Sequence, residues 1–352
     1  MTEKILVVRY RFIGDMILTV PFLRNLRRKY PDAQIDMLVA PNSYEVIENC
    51  PYVNNFIIFD TTRKHKYENS KEKKRSFFSY VSELREKKYD KAYVLKRSFS
   101  SALLCFLAKI PERVGFNTEG RGFLLTKRVK YDDKKHESQC FLDVLRAEGF
   151  EPDDGRPENW IKEEAITKIK NIFTENEISE NETKVVIHAT ATNKKKLWPE
   201  NNFAQLIKYL DGINIRIIHI GAESDREVYE RIYSKIGEEL KNKPVNLCGL
   251  LTLQESLALL KEVNFIVGND SGNLHMASSV GTKVVGIYGA MPVSKWGALG
   301  EGNKLLTGNA PCAPCNKRGE CNNNLICLNS ITVKRVIEAI DEIINSGSTE
   351  QQ

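Results

Sequence analysis

The sequence has little that would hold it in a membrane. No apolar stretch approaches the roughly 20 residues that span a bilayer, and Met1-Thr2-Glu3-Lys4 runs straight into a strand pattern instead of a signal-peptide core. A soluble, cytosolic protein is therefore expected. An excess of one charge is also missing: 52 Lys and Arg stand against 46 Asp and Glu, a formal net charge of +6 spread over 352 residues. That modest balance suits an anionic small ligand, and nucleic acid is not expected as a partner. The first strand is followed by neither a Walker A lysine nor G-x-G-x-x-G, so both standard nucleotide fingerprints are absent. No His, Asp and Glu cluster has metal-ligand spacing.

What is present is a long alternation of apolar strands and amphipathic helices. With 41% hydrophobic residues the chain can bury substantial cores, and its length favours two domains. Lys4–Tyr10, Gln34–Ala40, Phe56–Asp60, Lys91–Lys96 and Arg113–Phe116 read as strands, with helices over Asp15–Tyr30, Ser98–Lys109 and about His136–Gly149. This βαβ rhythm implies a parallel sheet. The turn-rich Glu151-Pro152-Asp153-Asp154-Gly155-Arg156-Pro157 is the expected boundary, giving domains 1–155 and 156–330. Beyond it, strands at Lys184–Ala189, Ile215–Gly221, Val245–Cys248, Val263–Val267 and Lys283–Tyr288 alternate with helices at Asn202–Leu210, Asp225–Leu240 and Thr252–Glu262. Two doubly wound α/β lobes facing a cleft are expected. A closing segment, 331–352, carries a helix over about Thr332–Asn345 whose apolar stripe needs a substantial surface, with the first domain as one candidate.

The most informative run is Gly268 to Ala277, which joins the strand Val263–Val267 directly to a helix start. Asp270 or Ser271 can cap that helix, Gly272 lets backbone approach a ligand, and the N–H groups of the first turn carry the positive end of the helix dipole. Such a junction suits a phosphate, although any strand-to-helix turn favours these residues. His275, in the same first turn, is suited to ligand contact or to packing. Two neighbouring strand ends extend the pattern. His188 through Glu200 brings hydroxyls at Thr190 and Thr192 and ammonium groups at Lys194, Lys195 and Lys196, a combination fitted to a pyrophosphate or to an ordinary basic loop. Glu223, after the strand ending at Gly221, can accept hydrogen bonds from a ribose diol or cap its helix.

In the first lobe, Gly14 permits a tight turn after the first strand and Asp15 opens the next helix. Asp15 can serve as an N-cap, or as the carboxylate that accepts a proton from an attacking hydroxyl in the cleft. Of eight cysteines, four are scattered through predicted elements; Cys312, Cys315, Cys321 and Cys327 crowd one loop with spacing C-x2-C-x5-C-x5-C. They fit a structural Zn or Fe clip, or free and oxidisable thiols. Basic residues thicken between Arg63 and Lys88, either as a solvated face or as an attraction to an anionic membrane surface or saccharide.

The marks Gly14-Asp15 with Thr19 and Pro21, Ile110 to Phe116 with Leu124-Leu125-Thr126 and His136, His188-Ala189-Thr190, Lys196 through Trp198-Pro199-Glu200, Gly221-Ala222-Glu223, and Asn269-Asp270-Ser271-Gly272 with His275 come in one order along the chain. In that order and spacing the chain resembles the lipopolysaccharide heptosyltransferases of glycosyltransferase family nine, from its first strand to the cysteine loop. The resemblance implies a GT-B fold of two Rossmann-like lobes, the nucleotide sugar on the C-terminal lobe and the acceptor on the N-terminal one. It implies an inverting transfer of heptose from ADP-heptose, without a catalytic cofactor, to a lipopolysaccharide-core or similar anionic glycan, at the cytoplasmic face of the inner membrane. Asp15 then becomes the general base. Thr190, Thr192, Lys196, Ser271, Gly272 and His275 hold the pyrophosphate side, Glu223 the ribose, and Asp270 the sugar or its own loop. Gly14, Arg113 and His136 fall on the acceptor side. Lys196 is assigned by its distance from Trp198, with Lys195 as the alternative. Other readings are another donor, a protein acceptor, a nucleotide-sugar epimerase, or a noncatalytic glycan-binding homologue.

Overall fold

Strand β1 (Lys4–Val8) is Ile, Leu and Val through its centre, and those residues are fully buried. That composition is what a strand needs when helices cover both sheet faces. The computed structural model describes residues 2–60, 75–237, 239–315 and 321–349. It divides into two units, Met1–Trp160 and Ile161–Gln352. The part of the expected basic run from Arg63 to Lys74 lies outside the described residues.

In the first unit β1 is joined by β2 (Gln34–Val39), β3 (Asn55–Ile58), β4 (Lys91–Val94), β5 (Glu112–Phe116) and β6 (Lys127–Val129). All pair in parallel, in the order β3-β2-β1-β4-β5-β6. The second unit contains β7 (Lys184–His188), β8 (Arg216–His219), β9 (Val245–Asn246), β10 (Phe265–Asn269), β11 (Lys283–Tyr288) and β12 (Lys304–Thr307). Its order is β12-β11-β10-β7-β8-β9, again parallel. Each sheet reverses its winding at one place, between β1 and β4 and between β7 and β10, and ligands of doubly wound sheets bind outside the strand ends at that reversal. Both units are Rossmann-like, and the expected α/β class is observed.

Differences from the sequence expectation have local causes. The helix read as Asp15–Tyr30 is two helices, Ile13–Ile17 and Val20–Lys29, because Pro21 has no N–H to donate to Ile17. Strands β6 and β12 were not anticipated; β6 is a three-residue edge strand whose Lys127 and Arg128 are exposed, so it carries no apolar pattern.

The unit boundary falls at Trp160, later than the expected 155/156, because 151–160 is tied to the first unit. Arg24 donates to Asp153, Asp154 and Glu158 at 2.7–3.1 Å, Asn159 Nδ2 donates to the Val46 carbonyl at 2.9 Å, and the Trp160 ring meets Tyr52 edge-on at 5.4 Å. The last helix is Val333–Thr349. Its Val336, Ala339, Ile340 and Ile343 are buried in the second unit's own core with Phe203, Leu206 and Leu210, and Tyr209 donates to Asp341 at 2.7 Å.

Candidate functional site

Strands β7, β8 and β10 end side by side, so the loops leaving them are neighbours by topology. Asn269, the last residue of β10 and fully buried, joins two of these loops. Its amide oxygen accepts from the Trp198 N–H at 2.9 Å and its amide nitrogen donates to the Ala189 carbonyl at 2.8 Å. Trp198 is itself buried and donates through its indole nitrogen to the Ile331 carbonyl at 2.8 Å. The Lys194–Lys196 turn, held between Ala189 and Trp198, is thereby fixed against the start of the helix Gly272–Ser279. Replacing Asn269 by Ala leaves a buried N–H and a buried carbonyl without these partners, at about 1–3 kcal/mol for each. We expect Asn269→Ala to lower stability by about 2–4 kcal/mol in urea unfolding, and a loss below about 0.5 kcal/mol would contradict this role.

The Lys196 ammonium lies 2.8 Å from an Asp270 carboxylate oxygen. Burial pushes the Asp270 carboxyl above its ordinary range, and Lys196 pulls it back. Asp270 therefore does not cap the helix. Ser271 occupies the N-cap position without a side-chain cap bond, and its Oγ is buried with no hydrogen-bond partner among the described residues. Gly272 is the first helical residue and His275 is buried one turn in. Backbone N–H groups of a first helical turn have no intrahelical acceptor, so this corner gathers an ammonium, a hydroxyl and the positive end of a helix dipole. Thr190 is buried and donates to Asp225 at 3.1 Å, whereas Thr192 is exposed.

Glu223 sits on the turn Glu223–Asp225, exposed, with Arg226 at 3.1 Å. Cap duty there falls instead to Asp225, which accepts from the Ala222 N–H at 2.8 Å. The turn is brought close to Gly249, at φ 75°, whose N–H donates to the Gly221 carbonyl at 2.9 Å. A Cβ on Gly249 would lie 2.1 Å from Glu223 Oε2 and 2.8 Å from its Cα, so no side chain fits there. His188 and His219, both buried, are packed side chains. His219 stacks on Tyr229 at 4.0 Å, and burial lowers it to about 3.

In the first unit, the turn after β1 is made by Arg11 and Phe12, at φ 93° and 53°. Gly14, expected to make it, lies inside the helix Ile13–Ile17. Left-handed backbone costs non-glycine residues of order 1–3 kcal/mol each and concentrates at functional sites. Asp15 is not a cap either: Phe12 holds the cap position, and Asp15 lies in the first turn with a carboxylate oxygen 2.9 Å from Arg9. Arg9, buried with its guanidinium 4.8 Å from the Phe141 ring centroid, is also 3.9 Å from Glu137. Glu137 is fully buried, accepts from the Tyr131 hydroxyl at 2.6 Å and has Arg97 at 3.6 Å. Burial raises the Asp15 carboxyl above its ordinary value; Arg9 opposes this, Glu137 adds to it, and Lys96 and Arg97 oppose it. Burial and then Arg9, with Arg11 and Arg97, bring the Lys96 ammonium down to about 8 against the pull of Asp15. The result is a proton acceptor shifted upward and surrounded by cations.

The other expected acceptor-side residues have different surroundings. Arg113 stands at the opposite, starting end of the sheet, paired with Ala92, and donates to the Ile110, Pro111 and Leu124 carbonyls as a loop staple. His136 caps the helix Glu137–Arg146, accepting from the Ser138 N–H at 3.4 Å. Its neighbour Glu137 is the residue that reaches the Asp15 cluster. Sequence reasoning gave no role to Arg9, Lys96, Arg97 and Glu137, nor to Asn269, Asp225 and Gly249.

Cys312, Cys315, Cys321 and Cys327 are free thiols; Cys327 is buried in the second unit's core and Cys312 packs against it. Among the described residues no group of three or more His, Cys, Asp and Glu is arranged to hold a metal ion.

The family model for glycosyltransferase family 9 (heptosyltransferase) matches residues 77–326. Lipopolysaccharide heptosyltransferase 2 of Escherichia coli K12 is 30% identical over 298 residues, covering 81% of this chain and 82% of that protein. Its namesake from Salmonella typhimurium is 29% identical over 296 residues, with the same shares. The solved structure of Escherichia coli ADP-heptose lps heptosyltransferase II matches with a TM-score of 0.79 at 25% identity, over 98% of this chain and 99% of that one. With its two Rossmann-like units forming a GT-B fold, the chain belongs to glycosyltransferase family 9.

Proposed function

We propose that this enzyme transfers heptose from ADP-heptose to a lipopolysaccharide-core or similar anionic glycan, with inversion at the anomeric carbon and no catalytic metal. The observation that carries the reading is the corner of the second unit where the Lys196 ammonium, the Ser271 hydroxyl and the start of the helix Gly272–Ser279 meet. Such a corner supplies from the protein itself the positive charge that a departing diphosphate needs. The names of the relatives supply the donor and acceptor classes.

In this mechanism Asp15 takes the proton of the acceptor hydroxyl as that oxygen bonds to the anomeric carbon. The bond from that carbon to the phosphate oxygen breaks, and its electron pair leaves with ADP. Lys196, Thr190, Ser271, Gly272 and His275 hold the diphosphate, Lys196 exchanging part of its contact with Asp270 for phosphate oxygens. Glu223 binds the ribose and Asp270 braces the loop. On the acceptor side, Lys96 and Arg97 replace Arg113 and His136 as the groups beside Asp15 that meet an anionic substrate.

Donor identity is tested by the nucleotide released. Purified enzyme with a core acceptor is expected to release ADP from ADP-heptose and no UDP from UDP-sugars; release of UDP alone would overturn the heptosyl assignment. Interconversion of the sugar nucleotide with no acceptor present would make the protein an epimerase instead.

A further inference from the structure

We infer that Arg121 is a positioning residue for the transfer: its guanidinium clamps the loop that carries Lys96 and Arg97, and so sets where those two cations stand beside Asp15. The loops involved leave β4 and β5, and β4 lies between β1 and β5 in the sheet. Arg121 is fully buried. Its Nε donates at 3.0 Å to the carbonyl of Phe116, the last residue of β5. Its Nη1 donates to the carbonyls of Lys96 and Ser98, the latter at 3.2 Å. Arg97 lies between those two carbonyls. One more bond ties the same stretch to β1, from the Lys96 N–H to the Val8 carbonyl at 3.0 Å. With its backbone fixed on both sides, the Arg97 guanidinium stands 3.9 Å from the Tyr131 ring centroid and 3.6 Å from Glu137. Lys96 is held where Arg9, Arg11, Arg97 and Asp15 all act on its charge.

The clamp is a costly one. Among the described residues no carboxylate bonds to Arg121, and its Nη2 is buried with no hydrogen-bond partner. A buried cation is ordinarily paired and fully hydrogen-bonded. Burial lowers this guanidinium to about 10; Glu119 opposes the shift and Arg97 adds to it. The backbone that presents Arg121 is strained as well, with Glu119 and Gly120 at φ 53° and 67°. A Cβ on Gly122 would lie 2.3 Å from Asn117 Oδ1, so the loop is folded back tightly on itself. Left-handed backbone and orphaned buried donors persist where the surroundings fix them, and they gather at functional sites. An apolar side chain of similar volume would fill the same space at lower cost, but it would leave three carbonyls unheld. Lysine would not hold them either, since its ammonium is a point donor on a flexible stem, whereas a guanidinium spreads its N–H groups in a rigid fork. The fork is spent on the two sides of Arg97, next to the proton acceptor. This inference rests on the proposed role of Lys96 and Arg97 toward an anionic acceptor.

The test is a double-mutant cycle on the full chain, read as kcat/KM for a delipidated core oligosaccharide at saturating ADP-heptose. Arg121→Lys is expected to lower it about 10–10²-fold, the scale for a misplaced group near the chemistry, mostly through KM for the acceptor, with KM for the donor little changed. In a Lys96→Met/Arg97→Met background the same substitution should cost less than about twofold, because the groups it positions are gone. The alkaline limb near pH 8 should move to higher pH in Arg121→Lys, as Lys96 leaves the burial and the cations Arg9, Arg11 and Arg97 that hold it down against the pull of Asp15; a side chain that only filled space would not move it. Amide hydrogen exchange gives a readout without donor or acceptor, and residues 95–99 should exchange faster in the variant. Gly120→Val, at an exposed position where a Cβ meets nothing and a φ of 67° suits glycine, disturbs the loop from outside the core and should show the same pattern to a smaller extent. Equal fold-losses in the two backgrounds, or unchanged exchange at 95–99, would overturn the inference while leaving the transfer reading standing. If Lys96→Met/Arg97→Met by itself left KM for the acceptor unchanged, the acceptor-side reading would fall, and this inference with it.

Discussion

Asp15→Asn is expected to lower kcat by about 10²–10⁴-fold, the range for loss of a positioned general base, with KM for the nucleotide sugar little changed. The substitution keeps the side chain's shape, and Arg9 retains Glu137 at 3.9 Å, so the buried guanidinium is not left without a carboxylate. The pH profile separates a base from a mere structural contact. Asp15 is raised above its ordinary value by burial, so wild-type kcat/KM should fall as pH drops through that raised carboxyl range and the base is protonated. The Asn variant should be flat there. On the alkaline side, Lys96 loses its charge near pH 8, which removes a cation beside Asp15 and weakens the hold on an anionic acceptor. Activity should therefore decline above about pH 8, and Lys96→Met should be slow and free of that limb. A folded Asp15→Asn protein with more than about a tenth of wild-type kcat would remove the mechanism.

Lys196→Met is expected to lower kcat/KM for the donor by about 10²–10³-fold, the scale for one group aimed at developing charge. Part of that effect should appear in kcat, because the diphosphate is most negative as it departs. Stability supplies a second readout. Without the ammonium 2.8 Å away, Asp270 keeps only the burial that already raises its carboxyl. At acid pH it is protonated in folded and unfolded chains alike, and the variant should match the wild type. As pH rises through the carboxyl range, the unfolded chain loses that proton more readily than the folded one, so the variant's deficit should grow. An unchanged kcat/KM would show that Lys196 only neutralises Asp270, and Lys195 would take its place in the account.

Strands with continuous apolar runs, such as Lys184–His188 and Lys283–Tyr288, were legible because burial on both faces leaves no room for polar positions. Chain ends of elements were not: Phe265–Asn269 extends two residues past its apolar run because Gly268 and Asn269 still pair with the neighbouring strands. The anion corner was visible since phosphate chemistry and helix starts favour the same few residues. Its supports were not. Asn269, Asp225 and Gly249 act through contacts with residues distant in sequence or through backbone conformation, which composition does not report. The same holds for the Asp15 cluster, where Arg9, Arg97 and Glu137 come from three separate elements. Gly14 and Arg113 were misread because a glycine beside a strand suggests a turn and an arginine in a motif suggests a ligand. The structure gives the turn to Arg11 and Phe12 and uses Arg113 to hold three carbonyls.

The most direct test of the central claim is mass spectrometry of the acceptor after incubation with ADP-heptose and enzyme, wild type beside Asp15→Asn. The account predicts that the wild type adds one heptosyl residue for each ADP released, that neither product forms when donor or acceptor is omitted, and that the variant is slower by at least about 10²-fold. ADP release without a heavier acceptor, or equal transfer by the variant, would contradict it.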